Sequence, residues 1–100
     1  MSQTTSIEFT EFEILKIIAF DVCLPIEDLQ AIYNSVKDQN RMYAVDIRQF
    51  AARGIEIYTG LAKVLGVDTN RVANYIEAGK VGFNELKEAL KLIATQQLTA

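Results

Sequence analysis

Apolar residues in this chain recur in clusters broken by short polar or glycine-containing stretches, and the spacing inside each cluster predicts a helix. From Phe9 to Leu24 almost every position is apolar: Phe12, Ile14, Leu15, Ile17, Ile18, Ala19, Phe20 and Val22. Its β-branched residues would also suit a strand, but its length and its lack of turn residues favour a helix. A helix apolar nearly all round belongs inside something. It is either the central helix of this core, or part of it packs on a neighbouring region or a second copy. After Pro25, the residues Ile26, Leu29, Ile32, Tyr33 and Val36 recur at steps of three and four, an amphipathic helix to about Gln39. Pro25 suits its first position, and Glu27 and Asp28 offset its dipole there.

A loop, "KDQNR", leads to a third helix carrying Val45, Ile47, Phe50 and Ala51, which stops at Gly54. A fourth places Ile57, Tyr58, Leu61, Ala62 and Leu65 on one stripe and ends at Gly66. Asp68 or Thr69 is placed to cap the next helix, which turns Val72, Tyr75 and Ile76 inward and ends at Gly79. "KVGF" then turns into a last helix with Leu86, Ala89, Leu90 and Ile93 on its inner face. The expected fold is all-α: a compact bundle of five to six short helices with short connections. Residues 1–6, "MSQTTS", read as a loose N-terminus, and residues 7–98 as one helical domain.

Composition narrows the function classes. Half of the 100 residues are apolar, enough for one modest core. No apolar run is long enough to span a bilayer, and the N-terminus lacks the pattern of a signal peptide, so a soluble chain kept in a cytoplasm is expected. The single cysteine, Cys23, cannot form an internal disulfide and reads as a small buried apolar residue. The chain has no histidine. A metal site would therefore rest on carboxylates, and neutral-pH acid–base chemistry on a perturbed Glu, Asp or Lys. The close carboxylates Glu11/Glu13, Glu27/Asp28 and Glu85/Glu88 form no recognisable catalytic set and read as structural. No enzymatic activity, cofactor, metal or small-molecule substrate is expected.

Residues 58–80 have the packing pattern of a helix-turn-helix. Ala62 is the small residue in the first helix, Gly66 lies in the turn, and Leu61, Leu65, Val67, Val72 and Tyr75 occupy packing positions. The second helix would offer Thr69, Asn70, Arg71, Asn74 and Glu77 to a groove, with Asn and Arg suited to adenine and guanine. Only Lys63, Arg71 and Lys80 supply cations there, against Asp68 and Glu77. The net charge is −3. Too few phosphates could be neutralised for firm binding at physiological salt. A small DNA-binding regulator is thus the alternative reading, not the leading one.

A longer window points elsewhere. "LPIEDLQAIYNSVKD" and then "VDIRQFAARGIEIYTGLAKVLGVDTNRVANYIEAGKVGFNELKEAL" resemble a domain near the N-terminal part of phage and prophage tail tape measure proteins. The resemblance is carried by Arg53, Gly54 and Ile55, by Leu61, Ala62, Leu65, Gly66 and Val67, and by Gly79, Lys80, Val81 and Phe83. Leu86, Ala89 and Leu90 complete it. It covers about residues 24–94 and is specific in order and spacing, although none of its motifs is chemical. One departure is Glu56, where the family often has Pro. Tape measure proteins are many times longer, so these residues would be one domain of such a protein, a truncated gene or a small relative. The resemblance implies a non-enzymatic structural domain acting in tail length determination and tail assembly. It also implies contacts with tail tube, tail tip or baseplate proteins and assembly chaperones, first in the cytoplasm and then in the virion tail.

Overall fold

In the computed structural model, residues 10–99 are described; the loose segment expected over residues 1–6 and the domain start at residue 7 lie outside them. Six α-helices follow in order: α1 (Glu11–Asp21), α2 (Ile26–Gln39), α3 (Ala44–Ala52), α4 (Ile57–Leu65), α5 (Val72–Glu77) and α6 (Phe83–Thr99). A 3-10 turn, Thr69–Arg71, leads into α5. No strand occurs among the described residues. The all-α bundle expected from the periodicity is the observed fold.

The last helix organises the rest. α6 lies against α4 on one side and α1 on the other, α2 packs on α1, and α3 packs on α4. Its inner stripe of Leu86, Ala89, Leu90, Ile93 and Ala94 meets Leu15, Ile18 and Ala19 of α1, Leu29, Ile32, Tyr33 and Val36 of α2, and Ile57 and Leu61 of α4 in one core cluster. The α4–α6 contact depends on Gly60. A Cβ there would sit 3.1 Å from Ile93 Cδ1 and 3.2 Å from the Ala89 carbonyl oxygen, so the absent side chain lets the two backbones approach.

The starts of α1, α3 and α6 share one device. The Glu13 carboxylate accepts from the Thr10 N–H at 2.9 Å, while the Thr10 hydroxyl accepts from the Glu13 N–H at 3.1 Å. Asp46 accepts from the Tyr43 N–H at 2.8 Å, and Glu85 from the Gly82 N–H at 2.7 Å. In each case an acid three residues on reaches back to satisfy a donor that the helix leaves free.

The chain departs from expectation at several points. α1 is buried on one side only, at Leu15, Ile18 and Ala19; Phe12 is 49 % and Phe20 87 % exposed. Val45 and Ala51, expected inside α3, are exposed, while Asp46 of the same helix is buried with Ile47 and Phe50. Pro25 stands one position before α2, with ψ 137°, rather than in its first turn. Neither Asp68 nor Thr69 caps the next helix through its side chain.

Cys23 is exposed, not buried, and has φ 59°. Its N–H bonds the Phe20 carbonyl and the Leu24 N–H bonds the Ala19 carbonyl, closing α1 in the left-handed manner usually given to glycine. A side chain in that region costs roughly 1–2 kcal/mol, partly offset for glycine by its freer unfolded state. Cys23→Gly is therefore expected to stabilise the protein by about 0.5–1 kcal/mol. A urea midpoint that does not rise would show that no strain is held there.

Candidate functional site

The residues that carry the tail-protein resemblance lie on consecutive elements from the end of α3 to the middle of α6. Their geometry begins with three helix stops. At the end of α3, Gly54 has φ 85°, its N–H bonds the Ala51 carbonyl, and the Ile55 N–H bonds the Phe50 carbonyl. This double closure is a Schellman motif: it needs a left-handed residue at the glycine and turns the next residue back over the helix. Ile55 is accordingly buried. The half-buried Arg53 holds the same turn by donating from Nη1 to the Gln49 carbonyl at 2.9 Å. The closure recurs at the end of α5, where Gly79 has φ 75° and bonds to Ile76, while Lys80 bonds to Tyr75. At the end of α4, Gly66 has φ 71° and the N–H groups of both Gly66 and Val67 bond the Ala62 carbonyl. A Cβ at Gly66 would meet nothing within 4 Å, so its backbone angle alone calls for glycine.

Glu56, at the departure from the family pattern, occupies a compatible backbone. Its φ is −77° and its ψ 56°, and the Ile57 N–H bonds back to the Ile55 carbonyl at 2.7 Å, an inverse γ-turn. That turn does not use the N–H of Glu56, and proline holds φ near −65°. Glu56→Pro is expected to be neutral or to stabilise by up to about 1 kcal/mol. A loss above that size in thermal unfolding would mean that the turn must rearrange for proline.

Leu61 and Ala62 are buried and Leu65 and Val67 half-buried, so the predicted packing residues of the helix-turn-helix pair do meet the core. The second member of the pair is short. After the 3-10 turn, α5 has six residues, with Val72 and Ile76 buried and Tyr75 half-buried. Thr69, Asn70, Arg71, Asn74 and Glu77 are all exposed. Between α4 and the turn runs a broad, open groove lined by Thr59, Lys63, Gly66, Asp68, Arg71 and Tyr75. Its two cations stand beside one acid, so it carries little field of either sign.

"KVGF" is a junction between distant parts of the chain. Lys80 is exposed, its ammonium 5.5 Å from the centre of the Tyr75 ring. Val81 is fully buried and its carbonyl accepts from the Met42 N–H at 2.9 Å, tying the α5–α6 connection to the α2–α3 connection. Phe83 stands edge-on to Tyr33 at 5.1 Å between ring centres, with the ammonium groups of Lys37 and Lys87 at 5.9 and 5.6 Å. Leu86 closes the block inside the core.

Two sets of polar contacts near this block were not foreseen in the sequence reading. Asp46 is 3 % exposed and accepts from Gln39 Nε2 at 3.2 Å as well as from the Tyr43 N–H. Gln39 also donates to the Arg41 carbonyl, and the Arg41 guanidinium stacks 4.8 Å from the Tyr43 ring and packs against Gly79. A polar knot thus holds the start of α3 to the end of α5. The spacing of Tyr43 and Asp46 is the signal that would have revealed it. On the other side, Tyr33 donates its hydroxyl to Glu11 at 2.5 Å. Burial, then the hydrogen bond and negative charge of Glu11, hold the Tyr33 phenol protonated well above its usual range.

Among the described residues, no group of three or more His, Cys, Asp or Glu side chains is placed to hold a metal ion. No helix among them is long and apolar enough to cross a membrane. No protein-family model, curated protein or solved structure matches the chain. The fold and the block together define a class: a small helical bundle whose distinctive residues set helix ends and helix contacts.

Proposed function

We propose that this chain is a non-enzymatic structural domain of a phage tail tape measure protein, acting in tail length determination and tail assembly. The observation that carries the reading is the ordered block from Arg53 to Leu90, whose order and spacing resemble that family. Its signature glycines at 54, 66 and 79 each sit at a left-handed helix end, the kind of position where a spacing has a physical reason to persist. Its partners are then tail tube, tail tip or baseplate proteins and assembly chaperones, and it passes from the cytoplasm into the virion tail. The DNA-binding alternative has less support. A six-residue α5 with Arg71 at its start and a groove of mixed charge offers few contacts to phosphate.

The test is made in the host that encodes the chain. Tails purified after induction are expected to yield peptides of this chain by mass spectrometry. Deleting residues 24–94 in frame is expected to abolish normal tails. Particles with tails of unchanged length after that deletion would overturn the reading. Saturable, sequence-selective duplex binding that weakens steeply with salt would favour the regulator instead.

A further inference from the structure

We draw no further inference here: the strongest candidate, the open groove between α1 and the end of α6 lined by Lys16, Ile17, the exposed Phe20, Asp21 and Gln97, carries nothing because nothing among the described residues shows what covers it.

Discussion

Replacing Gly60 by leucine is expected to remove about 3 kcal/mol or more of stability. Domains of this kind have roughly 5–15 kcal/mol in total. The reason lies in the α4–α6 contact. A single Cβ at residue 60 would already stand 3.1 Å from Ile93 Cδ1 and 3.2 Å from the Ala89 carbonyl oxygen. The isoleucine end can swing away; the carbonyl belongs to the backbone of α6 and moves only with the helix. Three further carbon atoms would force the two helices apart along their length and open voids around Leu61, Leu86 and Leu90. Gly60→Ala is the informative control. Alanine gains about 1 kcal/mol of helix propensity over glycine, so a net loss of up to about 1 kcal/mol would put the crowding at up to about 2 kcal/mol. Equilibrium urea unfolding reads both; an unchanged midpoint for Gly60→Leu would mean that α4 and α6 can separate freely.

The second large effect belongs to Asp46. Asp46→Ala is expected to cost about 2–3 kcal/mol, because it removes the buried carboxylate that accepts from the Tyr43 N–H and leaves Gln39 Nε2 with only the Arg41 carbonyl. Both donors meet the same carboxylate oxygen, so Asp46→Asn can keep that oxygen in place and loses only the charge. Its loss is expected near 1 kcal/mol. A fall below about 0.5 kcal/mol for Asp46→Ala would show that water replaces the carboxylate there and that the knot joining α3 to α5 is incidental.

What could be read in advance follows from which physical signal each residue carries. The inward residues of α2 and α6 recur at helical spacing with polar residues between them, and Leu29, Ile32, Val36, Leu86, Ala89 and Leu90 are buried as that spacing requires. The glycine stops were legible too, since only backbone conformation explains a glycine after each apolar stripe. α1 was not, because apolar residues on all sides hide which side faces inward; its neighbours α2 and α6 decide that. Val45 and Ala51 misled for a related reason. α3 is short, and its inward side is set by Ile47 and Phe50 together with a carboxylate that polarity alone would place outside. Cys23 carried a composition signal for burial, while its position two residues past the end of α1 demanded a left-handed stop. Gly60 passed unnoticed beside Ala62 because periodicity scores side chains and cannot register the approach that a missing one permits. In the block that resembles tail proteins, the glycine and core positions could be read one by one. The Tyr33–Phe83 edge contact and the Met42–Val81 hydrogen bond join residues far apart in the chain, and no local pattern announces them.

The left-handed stops at Cys23, Gly54, Gly66 and Gly79, with Asn40 at the end of α2, have a consequence for how this sequence can evolve. Each stop is locked to carbonyls a few positions upstream, so each helix has a set number of residues between its start and its brake. Adding or deleting one residue inside α4 would turn everything after it by about 100° relative to what came before, and Gly60 would no longer face α6. Substitutions that respect burial leave this phasing untouched. Lineages descended from this chain should therefore drift freely in residue identity while the intervals between their helix brakes stay constant, and changes in length should collect before Thr10 or beyond α6.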